Sequence, residues 1–151
     1  MKLQSKDFIY VISQFILLGL YLLDLNIFEF KITIVIRYIS LLILILGIFI
    51  FGLALIQLNK NLSPFPTPKN DSNLIESGLY KYIRHPIYTG ILLIVFGYGV
   101  YSQSEFKLII SLLLLILFYF KSSYEEQQLN KKFEKYIEFK RKTGRFFPKW
   151  F

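Results

Sequence analysis

The chain has 151 residues, of which 54% are hydrophobic and 19% aromatic, and its formal net charge is +8. Soluble domains average about 45–50% apolar residues, so an excess concentrated in long uncharged runs indicates one membrane domain spanning residues 1–151. The absence of cysteine excludes disulfides and thiol chemistry, and the single histidine, His85, excludes a multi-histidine metal site within one chain. The basic charge is ordinary for a membrane protein, so we expect no nucleic acid partner, and the lack of cysteine and of further histidines leads us to expect no metal.

Four apolar segments are predicted to be membrane helices of an all-α bundle. The first, 8–25, lacks a cleavage pattern after it and is interpreted as a retained helix rather than a signal peptide. The second, 38–59, contains no charge and would span roughly 33 Å as a helix. The third and fourth, 86–104 and 107–121, are short for a full crossing, so a re-entrant hairpin is the alternative for this pair.

The distribution of positive charge predicts the orientation of the bundle. If all four segments cross the membrane, one side carries 15 of the 18 lysines and arginines: two near the N-terminus, four from Lys60 to Arg84 and nine from Lys121 onward. Because such residues collect on the cytoplasmic side, we expect both termini in the cytoplasm. The regions 60–85 and 122–151 then lie on that same side.

These two cytoplasmic regions are expected to differ in structure. The first contains prolines at 64, 66 and 68, which favour an extended backbone and forbid helix. In the second, Leu129, Phe133, Tyr136 and Ile137 recur at helical spacing. This pattern predicts an amphipathic helix at the membrane surface or against the loop.

The stretch Arg84 to Gly90 offers the first candidate site. Pro86 suits the first position of a helix, which places His85 at the cap and free backbone N–H groups near the cytoplasm, where an anion can bind. Gly90 and Gly97 share a helix face, which allows another backbone or a flat ligand to approach. An ordinary interfacial helix start explains the same residues without any function.

The pair Glu125–Glu126 is the second candidate. Adjacent helical residues diverge by roughly 100°, so one glutamate can face inward, toward a ribose diol or an ammonium group, while the other stays in water. Lys121, one turn earlier on the same face as Glu125, is able to hold an acceptor's negative charge or to snorkel. A solvated helix end is the alternative for the pair.

The order of these motifs resembles the isoprenylcysteine carboxyl methyltransferase family, which is related to the membrane phospholipid N-methyltransferases. The resemblance covers about Leu58 to Pro148, and it rests on Gly78-x-Tyr80, Arg84-His85-Pro86-Ile87-Tyr88-Thr89-Gly90, Glu125-Glu126-Gln127-Gln128-Leu129 and Arg145-Phe146-Phe147-Pro148. It implies S-adenosylmethionine as cofactor and an apolar, membrane-associated acceptor. Lys121 stands where eukaryotic members have an arginine that contacts substrate.

The resemblance also implies which residues form the site. The cofactor-binding residues would be Ser72, Asn73, Leu74, Ile75, Tyr80, Arg84, His85, Pro86, Tyr88 and Glu125. The catalytic residues would be Lys121, Glu126 and Arg145.

The expected chemistry agrees with the residue types that the chain lacks. Methyl transfer from a sulfonium needs neither a metal nor a covalent nucleophile, and positioning supplies most of the rate. A carboxylate acceptor, which we favour, is already ionised, whereas an amine must first lose a proton, for instance to Glu126 or His85. A nicotinamide-dependent reductase of the sterol type and a non-catalytic membrane scaffold are the alternative functions.

Overall fold

A computed structural model describes residues 3–23, 25 and 30–149, and the regular structure in these ranges is helical. The five α-helices are α1 (Ser5–Tyr21), α2 (Ile34–Leu58), α3 (Pro86–Tyr101), α4 (Glu105–Lys132) and α5 (Tyr136–Lys142). Short 3-10 turns, Asn59–Asn61 and Gly78–Lys81, lie between α2 and α3. The all-α prediction is therefore confirmed for the described residues. Lys2, positions 24 and 26–29, and the last two residues of the predicted cytoplasmic tail lie outside them.

Two of the described helices are long and apolar enough to cross a bilayer. These are α2 with the turn that follows it, Ile34–Asn61, and α4, Glu105–Lys132, each 28 residues long. The helices α1 and α3 have 17 and 16 residues. The outer surface of α2 exposes large apolar side chains such as Leu42 at 66% and Phe49 at 62%, as expected of a helix that faces lipid.

The helices α2 and α3 pack closely because glycines line their interface. A Cβ atom on Gly90 would lie 2.7 Å from the backbone nitrogen of Phe51, and one on Gly97 would lie 2.8 Å from that of Leu44. The sequence allowed either another backbone or a flat ligand to approach this glycine face, and in the structure the backbone of α2 occupies it. Such close approach of backbones stabilises helix pairs in lipid, where apolar surface alone gives no drive to associate.

The main apolar core lies between α1, α3 and α4. Its buried members are Tyr21, Leu92, Val95, Ile110, Leu114, Phe118 and Phe146. The Tyr21 hydroxyl donates to the Val95 carbonyl oxygen at 2.6 Å, which ties the end of α1 to α3. This core holds the cytoplasmic ends of α3 and α4 next to each other.

The ends of α1 and α2 differ from the predicted segments. The first helix spans Ser5–Tyr21 rather than 8–25. The second starts at Ile34 instead of 38 because the Thr33 side chain accepts a hydrogen bond from the Ile36 N–H, and such a cap can start a helix ahead of the uncharged run. The third starts at Pro86, as predicted, and ends at Tyr101 instead of 104.

The tail corrects the predicted amphipathic helix. Instead of ending near residue 121, α4 continues to Lys132, and the chain then turns through Phe133 in an extended conformation with φ −122° and ψ 112°. Tyr136 begins a separate helix, α5. The turn buries Tyr136 and Phe139, which a straight continuation of α4 would carry away from the loop, so tertiary packing overrides the helical spacing.

Candidate functional site

The segment before α3 is shaped by Gly78. This residue has φ 60°, in the left-handed region that glycine adopts without steric cost. The Leu79 N–H donates to Gln57 Oε1 at 2.8 Å, and the following turn buries Tyr80. Burial first, and the nearby Glu125 carboxylate second, raise the pKa of the Tyr80 hydroxyl above its ordinary value. Tyr80 therefore stays a neutral phenol at physiological pH.

The C-terminal tail docks on the segment that enters α3. Residues 82–85 and 144–145 pair in parallel through backbone hydrogen bonds of 2.9–3.1 Å. The Thr89 hydroxyl adds a bond of 2.8 Å to the Phe146 carbonyl oxygen. This docking brings the side chain of Arg145 to the end of α4.

Glu126 lies at the centre of a buried charge cluster. Its carboxylate is 2.8 Å from Arg84 Nε, 2.8 Å from Lys140 Nζ, 3.3 Å from His85 Nε2 and 3.5 Å from Arg145 Nε. Only 2% of the Glu126 side chain is exposed. A buried carboxylate needs such partners to stay ionised, so the cluster joins α4, α5, the tail and the start of α3.

Glu125 has a different environment, although it is the adjacent residue. Its Oε2 accepts a hydrogen bond of 2.7 Å from the Tyr88 hydroxyl and lies 3.7 Å from His85 Nδ1. The Glu125 side chain is 26% exposed. His85 is buried between the two carboxylates, and its ring stacks on Tyr88 with a centroid separation of 5.4 Å. The two glutamates diverge as predicted, but Glu126, which faces away from Tyr88, is buried rather than solvated.

Lys121 is buried one turn before Glu125. Its Nζ donates to Gln14 Oε1 at 2.6 Å and lies 5.3 Å from the centroid of the Tyr88 ring. The amine therefore lies inside the protein, beside the carboxylate of Glu125, and does not snorkel to solvent.

Two cavities meet at this point. The first, here the loop-side cavity, has about 100 Å³ and lies under the α2–α3 connection. The second, here the membrane-side cavity, has about 570 Å³ and lies among α1, α2 and α3. Residues that line both are Leu58, Ser63, Tyr80, Arg84 and Glu125. A ligand in one cavity would therefore come close to a ligand in the other beside Glu125.

Most of the predicted cofactor-binding residues line one of these cavities. The loop-side cavity is lined by Ser72, Asn73, Leu74, Ile75, Tyr80, Arg84 and Glu125. The membrane-side cavity is lined by Tyr80, Arg84, His85, Tyr88, Glu125 and the predicted catalytic Lys121. Pro86 is buried and lines neither.

The other two residues predicted to be catalytic lie elsewhere. Glu126 and Arg145 border a third cavity of about 390 Å³ on the opposite side of α4, here the outer cavity. The Arg145 guanidinium also donates to Ser123 Oγ at 2.8 Å and packs over the Tyr119 ring. Their contacts in the structure are with protein groups that hold the tail in place.

The loop over the first cavity is held by polar contacts that the sequence analysis did not identify. Lys132 Nζ donates to the Lys69 carbonyl oxygen, to the Asn70 carbonyl oxygen at 3.1 Å and to Ser72 Oγ at 2.7 Å. At the other end of the loop, the Thr67 N–H and hydroxyl both donate to the buried Asp7 carboxylate at 2.9 Å.

Gln14 and Asp7 are the site residues for which the sequence did carry a signal. Gln14 is the only amide side chain in the first apolar segment before Leu23, and Asp7 is an acid just ahead of that segment. A polar group inside an apolar helix needs a buried partner, and the partners prove to be Lys121 and the loop. No comparable signal exists for Lys132, which lies in a run of exposed charges.

The arrangement brings a polar cavity and an apolar cavity together at a group of charged and phenolic side chains. In the described ranges, no group of three or more histidine, aspartate or glutamate side chains is placed to hold a metal ion. The groups that do converge are a carboxylate, two cations and two phenols at the junction of a polar and an apolar cavity. Such a site can bind and orient two molecules against each other.

Comparison with known proteins assigns a family to this architecture. No curated protein matches the chain. Residues 35–136, which include α2, α3, α4 and both glutamates, match the phospholipid methyltransferase family. That family is part of the wider group of integral membrane methyltransferases to which the isoprenylcysteine carboxyl methyltransferases belong. Because the match covers about two thirds of the chain, the chain belongs to the phospholipid methyltransferase family of membrane proteins.

Proposed function

We propose that this protein transfers a methyl group from S-adenosylmethionine to a lipid-like acceptor at the junction of the two cavities. The observation that carries the proposal is the shared lining of these cavities by Tyr80, Arg84 and Glu125. A polar cofactor and an apolar acceptor require different surroundings, and here the two kinds of surroundings adjoin at a charged point.

The residues of the loop-side cavity fit the cofactor. S-adenosylmethionine carries its methyl group on a sulfonium sulfur. When the methyl group is transferred to the acceptor, the sulfonium becomes a neutral thioether, S-adenosylhomocysteine. Its cationic and diol groups suit the Glu125 carboxylate, its own carboxylate suits Arg84, and its adenine ring suits the wall formed by Phe133 and Phe139. Ligand pockets usually measure about 300–1,000 Å³, so a cavity of about 100 Å³ has to widen by movement of the loop.

The membrane-side cavity fits an acceptor with an apolar body and an anionic head. Its walls include Phe15, Leu18 and Phe51 from α1 and α2, and the Lys121 amine lies among them with the neutral Gln14 amide as its hydrogen-bond partner. Arg84 is already paired with Glu126, so Lys121 is the cation that favours a carboxylate acceptor. An ionised carboxylate needs no general base, so holding it in line with the methyl group is sufficient.

Methylation of an amine is the second candidate, and the family match favours it. An amine must lose a proton as it becomes a nucleophile. Glu125 faces both cavities and can accept that proton, whereas Glu126, which the sequence suggested for this role, is held by three cations and faces the outer cavity. The two candidates thus share a site and differ in the task of Glu125.

We further propose that four helices cross the membrane, with both termini and the loop on the cytoplasmic side. The Tyr124 hydroxyl donates to Gln4 Oε1 at 3.0 Å, and Thr67 contacts Asp7. The start of α1, the loop and the end of α4 therefore lie at one end of the bundle, which supports an even number of crossings. Because the chain lacks cysteine, a single cysteine at Lys60 or at Ser102 reports its side. Labelling of Lys60→Cys from outside intact cells would contradict this orientation.

The cofactor is tested by titrating S-adenosylmethionine and S-adenosylhomocysteine calorimetrically into detergent-purified protein. We expect saturable binding of both. Binding of a reduced nicotinamide cofactor instead would support a reductase, and binding of none of these ligands would support a scaffold.

The acceptor class is tested with radiolabelled S-adenosylmethionine and membranes that contain the protein. A methyl ester releases labelled methanol on treatment with alkali, whereas an N-methyl group does not. Alkali-labile label in the lipid extract would establish a carboxylate acceptor, and alkali-stable label in a phospholipid headgroup would establish the amine.

A further inference from the structure

Tyr136 is the first residue of α5 and is almost completely buried. Its hydroxyl has no hydrogen-bond partner among the described residues, and the oxygen atom itself is covered. Leaving a buried polar group unpaired typically costs about 1–3 kcal/mol, so such groups are rare in native structures. The turn at Phe133 that creates α5 thus places an unpaired hydroxyl inside the protein.

The position of this hydroxyl suggests what it pairs with. Tyr136 lies in the wall between two cavities: it lines the loop-side cavity beside Phe133, Phe139 and Leu129, and the outer cavity beside Glu126 and Lys140. The loop-side cavity measures about 100 Å³, less than ligand pockets usually do, so its walls have to move apart for a cofactor to bind. The wall that carries Tyr136 is therefore one of the surfaces that a bound ligand would meet.

The hydroxyl remains a neutral donor under physiological conditions. Burial first, and the nearby Glu126 carboxylate second, raise the pKa of Tyr136 far above its ordinary value. A neutral phenol donates one hydrogen bond to an oxygen or nitrogen acceptor, and such acceptors occur throughout S-adenosylmethionine.

We infer that Tyr136 is a cofactor-binding residue whose hydroxyl donates a hydrogen bond to the ligand of the loop-side cavity. This inference rests on the proposed function and adds a residue from the tail to the cofactor site. The loop, α4 and α5 then each supply a side of the pocket, and α5 contributes both aromatic surface and a specific donor.

The test compares two tyrosine-to-phenylalanine variants in detergent. For Tyr136→Phe we expect S-adenosylmethionine and S-adenosylhomocysteine to bind about five- to tenfold more weakly by calorimetry, as for one lost hydrogen bond. The thermal unfolding temperature of the ligand-free variant should not fall, because no protein bond is removed. The matched control is Tyr124→Phe. Tyr124 is buried, lines neither the loop-side nor the membrane-side cavity, and donates its hydroxyl hydrogen to Gln4. The control should unfold at a lower temperature and keep wild-type affinity.

Two results would overturn the inference while the proposed function stands. The first is wild-type affinity in Tyr136→Phe. The second is a loss of stability without a loss of affinity, which would show that the hydroxyl pairs with a protein group such as the Glu126 carboxylate, which lines the outer cavity together with Tyr136. If the wild-type protein bound neither ligand, the proposed function itself would fail.

Discussion

Glu125 and Glu126 are neighbours in the chain, yet the two faces of α4 that they occupy are built differently. Glu126 is buried among Arg84, Lys140 and Arg145, with ion-pair distances of 2.8–3.5 Å. Glu125 accepts a hydrogen bond from Tyr88 and borders both the loop-side and the membrane-side cavity. The comparison teaches that charge density alone does not mark a reactive centre. The more heavily paired carboxylate holds the architecture together, and the less paired one is available to ligands.

The largest expected effect is on stability, from Glu126→Gln. Removing one partner of a buried charge cluster leaves the other charges uncompensated, which costs about 3–5 kcal/mol. Thermal unfolding in detergent measures this loss. The matched control is Glu138→Gln, which breaks the exposed ion pair with Lys142 and should leave the unfolding temperature nearly unchanged, because solvent screens an exposed pair. Equal effects of the two substitutions would show that the cluster is not structural.

An intermediate effect, on binding rather than stability, is expected from Glu125→Gln. The glutamine keeps an oxygen that accepts from Tyr88 but loses the charge, so the free energy of unfolding should change by less than about 1 kcal/mol. A charged hydrogen bond is worth about 1.5–3 kcal/mol, so cofactor affinity should fall about 10- to 100-fold, measured by calorimetry. If Glu125→Gln lowered stability as much as Glu126→Gln, the contrast between the two faces would disappear.

The smallest effect is expected from Lys121→Met, which tests the proposed acceptor site in the membrane-side cavity. Methionine preserves the length of the side chain and removes the charge. We expect the KM for an anionic acceptor to rise about tenfold, which corresponds to about 1.4 kcal/mol, with cofactor affinity unchanged. Lys131→Met, on the exposed surface of the same helix, is the control. A normal KM in Lys121→Met would favour an acceptor without a negative head.

The sequence predicted the parts of this site that depend on local chemistry. Pro86 at the first position of α3 and the divergent directions of Glu125 and Glu126 follow from helix geometry, and both are present. The sequence did not predict the turn at Phe133, because the helical spacing of apolar residues continues through it. The break accompanies the burial of Tyr136 and Phe139, which depends on tertiary packing.

The polar contacts between distant segments were also beyond prediction. The pairing of residues 82–85 with 144–145 uses backbone groups. Because every residue carries such groups, no side-chain pattern predicts this pairing. The position of Arg145 beside Glu126 depends on that pairing. The motif around Arg145 therefore carries no sign of its partner Glu126, whereas Gln14 stands out in the sequence as an isolated amide in an apolar segment.

The docking of the tail also bears on the order of folding. In the chain, Thr89 and Phe146, which share a hydrogen bond, are separated by 57 positions, whereas each long apolar helix contains its own backbone hydrogen bonds and can insert into the bilayer by itself. Contacts between distant segments form late because closing a long loop costs entropy. We therefore expect an inserted, helical intermediate in which the charge cluster around Glu126 has not yet assembled, so that far-ultraviolet circular dichroism recovers before cofactor binding during refolding.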